Sequence, residues 1–145
     1  MRELKRSALV SYPAARMYGL INDIEAYPLF LPWCTEASVQ SRTDQEIVAR
    51  LGVRRGALNA HFTTRNSLEP ERRVHMALVS GPFKTLEGEW LLTPVADLGC
   101  RVDLTLRFAF ANRLTAMVME PLFEGMAAQL VDAFVSRARV VASGL

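Results

Sequence analysis

The sequence is poor in the residues that usually build reactive or metal-binding centres. Of 145 residues, two are cysteines, Cys34 and Cys100, and two are histidines, His61 and His75. The cysteines stand far apart and outside any ligand motif, which points to neither a disulfide framework nor a metal site and leaves two buried thiols as the expectation. No carboxylate or cysteine cluster accompanies the histidines at ligand spacing. Glycine-rich nucleotide fingerprints are absent, so no phosphate-binding loop is expected. No stretch approaches the length of a membrane span, and the segment Met1 to Val10 lacks the apolar run of a signal peptide, which together point to a cytoplasmic protein.

Lysine is nearly missing too, occurring at positions 5 and 84, so the formal charge of +2 is carried by arginine. The basic doublets Arg54-Arg55 and Arg72-Arg73 flank expected turns. A DNA-binding stripe needs a much stronger imbalance, and no DNA partner is expected. Nor is there a nucleophile beside a base, or a tuned pair of carboxylates in one cleft. Glu87 and Glu89 read as outward positions of one strand, and His61 and His75 do not face each other across their hairpin. An enzyme is the least favoured class.

What is present suits a folded domain, 50% hydrophobic and 22% charged, with a length that fits one domain over residues 1–145. Such a chain buries roughly two thirds of its unfolded surface. A first strand is expected near Glu3 to Ser11. A helix follows, with Pro13 early in it, Ser11 as its cap, and Met17, Tyr18, Leu20, Ile21 and Ile24 at helical spacing. From Glu36 to Phe110 the period changes to two. Leu58, Ala60 and Phe62 alternate with polar neighbours, as do Val102, Leu104, Leu106, Phe108 and Phe110. Turn residues at 42–45, 54–56, 69–71, 80–82 and 96–99 divide this region into about six strands, antiparallel because the links are short.

The tail from Asn112 to Val141 reads as helix, capped by Asn112, with Pro121 either starting or kinking its main part. Met119, Phe123, Met126, Leu130, Ala133, Phe134 and Val141 share one side of it. Arg137 falls within that stripe and must snorkel, pair with a carboxylate, or face a polar part of a cavity. A helix of some 22 residues spans roughly 33 Å. The expected class is therefore α+β, a curved antiparallel sheet of about seven strands wrapped around a long C-terminal helix, with two short helices after the first strand. A curved sheet gripping a helix leaves space at one end unless large side chains fill it.

Into this frame falls the segment Tyr27-Pro-Leu-Phe-Leu-Pro-Trp-Cys34, eight residues with three aromatics and no charge. Its prolines stiffen it, and its aromatics serve either as core or as the wall of a hydrophobic site. This motif, with Phe62-Thr-Thr-Arg-Asn66, Gly81-Pro-Phe-Lys84, Leu86, Gly88, Trp90, Ala133-Phe and Arg137-Ala138, resembles the coenzyme Q-binding START-like family. Its bacterial branch carries the names ribosome association toxin RatA and polyketide cyclase. The resemblance runs from about residue 3 to 142.

The resemblance implies the helix-grip (START-like) fold and a site for a hydrophobic small molecule, foremost ubiquinone or another polyprenyl quinone, with no required cofactor and no catalytic set. It implies a second role as well, binding of the large ribosomal subunit and blockage of subunit association. Transient contact with a membrane surface is a further candidate. The candidate ligand wall is Tyr27, Phe30, Leu31, Trp33, Met76, Leu78, Phe83, Trp90, Phe108, Phe110, Phe123, Met126, Leu130 and Phe134. Quinone carbonyls need donors, for which the candidates are Arg65, Asn66, Tyr27, Trp90 and Arg137. Arg65 and Asn66 lie on opposite sides of one strand, so at most one points inward. Gly81-Pro82 marks a tight turn that folds Phe83 back over the sheet to close the cavity mouth. Quinone binding in support of respiration is the leading reading, and ribosome binding the alternative.

Overall fold

Two-residue alternation of apolar side chains builds the seven strands of one antiparallel sheet. In the computed structural model, which describes residues 1–142, these are β1 (Arg2–Val10), β2 (Cys34–Arg42), β3 (Glu46–Arg55), β4 (Leu58–Glu69), β5 (Arg73–Ser80), β6 (Phe83–Pro94) and β7 (Cys100–Phe110). Residues 143–145 of the expected domain lie outside the described residues. The spatial order is β1-β7-β6-β5-β4-β3-β2. Five consecutive hairpins therefore run from β2 to β7, and the first strand pairs with the last, Leu4 opposite Leu106 and Val10 opposite Cys100. On β7 the expected set Val102, Leu104, Leu106, Phe108 and Phe110 is buried on the inner face.

Register shifts interrupt the ladders at Cys34/Glu36, Val39/Ser41, Thr63/Thr64 and Phe83/Thr85. Each such irregularity bends its strand and raises the local twist, which curls the sheet. Gly81, at φ 149°, turns the chain between β5 and β6 where a Cβ would lie 2.7 Å from the Cβ of Phe62. This close approach brings Phe83 onto Phe62.

Between β1 and β2 the chain crosses from one sheet edge to the other through helix α1 (Ala14–Asn22) and a 3-10 helix (Ile24–Leu29) that contains Pro28. Pro13 itself occupies the cap position of α1 in extended conformation, and no side chain caps the helix. The expectation of a Ser11 cap is corrected: Ser11 lies two residues too early to reach the free N–H groups of the first turn.

The C-terminal helical stretch is two consecutive helices, α2 (Arg113–Ala127) and α3 (Leu130–Ala142). Asn112 caps α2 as expected, its Oδ1 accepting from Leu114 N at 2.9 Å and Thr115 N at 3.1 Å. Pro121 neither starts nor divides the helix. It lies inside α2, and the break falls at Ala128 and Gln129. The carbonyl that Pro121 leaves without an N–H belongs to Met117, a residue on the exposed side of α2. Val141 is also corrected: it shares the helical phase of buried Phe134, but in the last turn of α3 it is 40% exposed, beside Val140 at 44%.

The helices lie on the concave face and divide its aromatic residues into two groups. At one end Phe123 of α2 packs on Phe62, Phe83, Phe108 and Phe110, with centroid separations from 4.8 to 6.2 Å. At the other, Phe134 of α3 meets Tyr27, Phe30 and Trp90 edge to face at 5.1 to 5.4 Å. Glu120 holds α2 in place by accepting the Phe110 N–H at 2.9 Å and facing Arg2, which also pairs with Glu124. Truncation Phe134→Ala is expected to cost about 3 to 5 kcal/mol, and Asn112→Ala about 1 kcal/mol. Urea titration checks both, as a lowered midpoint at nearly unchanged slope for the cap variant.

Candidate functional site

Between the two aromatic groups the core is hollow. An apolar cavity of about 90 Å³ is walled by residues from the sheet, the 3-10 segment and both C-terminal helices. From the segment Tyr27 to Cys34, three residues reach it: Tyr27, Leu31 and Trp33. Of the other expected wall residues, Met76, Trp90, Phe123, Met126, Leu130 and Phe134 border it too.

The remaining candidates do not. Phe83, Phe108 and Phe110 are buried, but in the aromatic group at the far end, where they form solid core. Phe83 therefore closes that end by packing on Phe62, Phe110 and Phe123 and does not border the cavity itself. Leu78 packs in the same group. Phe30 stands behind Tyr27 and Phe134, 6.0 and 5.1 Å from their ring centres. Arg137 lies outside the cavity as well, its guanidinium 5.3 Å from the centre of the Phe30 ring, a cation held on an aromatic face with its stem along apolar surface.

Arg65 points to the outer face, where its Nε donates to Glu46 at 2.6 Å. Strand parity explains this, since its neighbours Thr64 and Asn66 are the inward pair and both line the cavity. The sequence reading weighed Asn66 as a donor but left Thr64 out. Alternation from Phe62 was the signal that could have found it. Ile24, Ala49, Leu51, Phe62, Leu86, Gly88, Leu104, Leu106 and Ala127 complete the wall. Gly88 carried its own signal, because a glycine inside a strand marks a close approach or an open space. A Cβ there would lie 2.6 Å from Met76 Cε and 3.0 Å from Leu106 Cδ1.

The wall carries almost no charge or titratable chemistry. Tyr27 donates its hydroxyl hydrogen to the Ile21 carbonyl, and loss of solvent around the phenol pushes its pKa well above the usual value. Thr64 Oγ1 donates to Asn66 Oδ1 at 2.8 Å. Cys34 and Cys100 are free buried thiols, and burial raises both pKa values. Among the described residues no group of three or more His, Cys, Asp or Glu side chains could hold a metal ion. Such a space accepts apolar matter and offers a few hydrogen bonds, but no acid, base or nucleophile arrayed for chemistry.

The outer face is polar. Lys5, Glu3, Arg107, Glu87 and His75 form a ladder across β1, β7, β6 and β5, with separations from 2.6 to 4.0 Å. The hydrogen bond from Arg107 holds the Glu3 carboxyl below the usual carboxylate range. Arg73 is likewise engaged by Glu69 and Glu89, at 3.0 and 2.7 Å. Glu87 and Glu89 thus belong to the outer face, as their alternation implies. The two arginine doublets sit at opposite ends of the 12-residue strand β4, one at each of its turns. At ~3.3 Å per residue this separates them by roughly 35 Å along the strand, so they do not form one patch.

Three arginines stand outside these pairs. Arg55 lies beside α2, its Nη2 3.7 Å from where a Cβ on Gly125 would be. Arg54 precedes it and Arg113 opens α2, and among the described residues none of the three has an ion partner. A cation in the first turn opposes the helix dipole, so Arg113 is not there for the stability of α2. Next to it Leu114, Met117 and Val118 are 79%, 76% and 52% exposed at i, i+3 and i+4 spacing, an apolar stripe facing solvent.

A family model described as polyketide cyclase / dehydrase and lipid transport matches residues 10–135. The ribosome association toxin RatA of Escherichia coli strain K12 is 40% identical over 143 residues, covering 99% of this chain and 90% of that protein. The mitochondrial coenzyme Q-binding protein COQ10 of Drosophila melanogaster is 28% identical over 138 residues, 92% of this chain and 57% of that protein. Among solved structures, a START superfamily protein from Mycobacterium smegmatis superposes with a TM-score of 0.80 at 17% identity, over 96% of this chain and 98% of that one, a likeness of fold. The curved sheet, the C-terminal helices on its concave face and the matched sequence agree, and the chain belongs to the polyketide cyclase / dehydrase and lipid transport family.

Proposed function

We propose that this chain is a non-enzymatic, cytoplasmic ribosome-associating inhibitor that binds the large ribosomal subunit and blocks subunit association. The observation that carries this reading is the 40% identity to a ribosome association toxin across nearly the full length of both chains. It reverses the order of the two readings taken from the sequence, where quinone binding came first. The surface beside α2 supports it. Unpaired Arg54, Arg55 and Arg113 suit phosphate oxygens, and the exposed stripe of Leu114, Met117 and Val118 suits an apolar contact beside Arg113. Arg72 and Arg73 have no part in it, the latter being neutralised by two glutamates.

Cosedimentation with purified large subunits should fall steeply as salt rises. Each of Arg54→Gln and Arg113→Gln should lower the slope of log affinity against log salt by about one. In sucrose gradients, protein added before the subunits are mixed should reduce the joined-ribosome peak. Absence of cosedimentation even at low salt would overturn the proposal.

A second reading, binding of a hydrophobic small molecule, is favoured by the cavity between the sheet and the C-terminal helices. The two roles occupy different surfaces and are compatible. At about 90 Å³ the cavity is smaller than the roughly 150 Å³ that holds benzene, so a polyprenyl quinone enters only if the walls part. Met76 and Met126 in the wall repack readily, and the break between α2 and α3 is where the helical cover can bend. Organic extracts of the purified protein should contain lipid or quinone. Added ubiquinone should change the emission of Trp33 and Trp90, which both border the space. Empty extracts together with unchanged emission would remove this reading and leave the ribosomal one standing.

A further inference from the structure

The geometry points to Asn66 as the polar anchor of the cavity, one that selects neutral ligands bearing an acceptor oxygen, such as a ketone or quinone carbonyl, over hydrocarbons of the same shape. This rests on the reading of the cavity as a ligand site.

Asn66 is 6% exposed and lies on the inner face of β4, in a row across the sheet with Met76, Gly88 and Leu106. The Thr64 hydroxyl donates to its Oδ1 at 2.8 Å, which fixes the orientation of the amide and leaves the Nδ2 group as its free end. Among the described residues Nδ2 has no hydrogen-bond partner. Yet it is not sealed, for among the described residues the enclosed side-chain atoms lacking a partner are those of Asn22. The surface that Asn66 retains is therefore cavity surface. Leaving such a donor unsatisfied in an apolar space is costly, and whatever fills that space gains by supplying an acceptor.

The other candidate donors narrow the choice. The Tyr27 hydroxyl is committed to the Ile21 carbonyl, Arg65 to Glu46 on the outer face, and Arg137 to the face of Phe30. Thr64 spends its hydrogen on Asn66. Trp90 remains in the wall, and its indole N–H is a donor and not an acceptor. No Lys, Arg or His lines the cavity, so a carboxylate or phosphate would be buried without a countercharge. Gly88, next but one across the strands from Asn66, leaves its place on the floor to the side chains of Met76 and Leu106.

The test uses two one-ring probes of equal shape, acetophenone and α-methylstyrene, in which a carbonyl oxygen is exchanged for a methylene. Comparing the ratio of their affinities between wild type and Asn66→Leu cancels their different hydration. The preference for acetophenone should fall about fivefold to tenfold in the variant. Thr64→Val/Asn66→Leu, which removes both ends of the internal hydrogen bond, should show the same loss. In wild-type protein labelled with nitrogen-15, acetophenone should shift the Asn66 side-chain NH₂ signals and α-methylstyrene should leave them in place. This reading stands even if the variants do not fold. If both probes bind with a ratio unchanged by the variants, or move the Asn66 signals alike, the anchor is wrong while the ligand site survives. If neither probe binds, the ligand site falls and the anchor with it.

Discussion

A seven-stranded sheet presents more apolar surface on its inner face than one helix, about 10 to 12 Å across, can cover along a single line. Hiding that face is the constraint on which the rest of the structure depends. The chain meets it by bending the strands at their register shifts and laying α2 and α3 in the trough. The 3-10 segment from Ile24 to Leu29 covers what the helices leave. Contact is dense where four rings from three strands converge on Phe123, and again where Tyr27, Phe30 and Trp90 converge on Phe134. Between these two aromatic groups the sheet stands off from the helices, and the cavity is what remains.

The same arrangement sorts the chain's chemistry by face. Inward positions are almost wholly apolar, with Thr64 and Asn66 as the exceptions on β4. Outward positions carry a ladder of exposed ion pairs, each worth little by itself but together keeping the broad face of the sheet charged and soluble. At the β3–β4 turn Arg54 and Arg55 stand without an ion partner among the described residues, Arg55 beside α2. Apolar lining and surface charge are thereby kept on opposite faces of the sheet.

Much of this is legible in the order of residues. Leu58 to Phe62 and Val102 to Phe110 announce strands by period, Asn112 announces a cap by its hydrogen-bonding side chain, and the turn residues separate the strands correctly because their backbone preferences are local. Pro121 is less legible: it does not start the helix but lies inside α2, where it removes one backbone hydrogen bond. The apolar wall is only half legible. Phe83, Phe108 and Phe110 look no different in sequence from Phe123 and Phe134, yet the first three are solid core and the last two border space.

The sequence by itself determined which side chains turn inward, because alternation along a strand is a property of the backbone, and it determined the order of strands and helices through their turns and caps. Only the tertiary structure decided which inward residues touch one another and which face a void. That depends on register across seven strands, on the bends at four irregular pairs and on a helix break at Ala128 and Gln129, none of which is encoded in the neighbours of any single residue. Asn66 shows the division: its parity could be read from Phe62 and its oxygen is taken by Thr64 two residues back on the same strand, whereas its place at the cavity floor follows from the row it forms across the sheet with Met76 and Gly88.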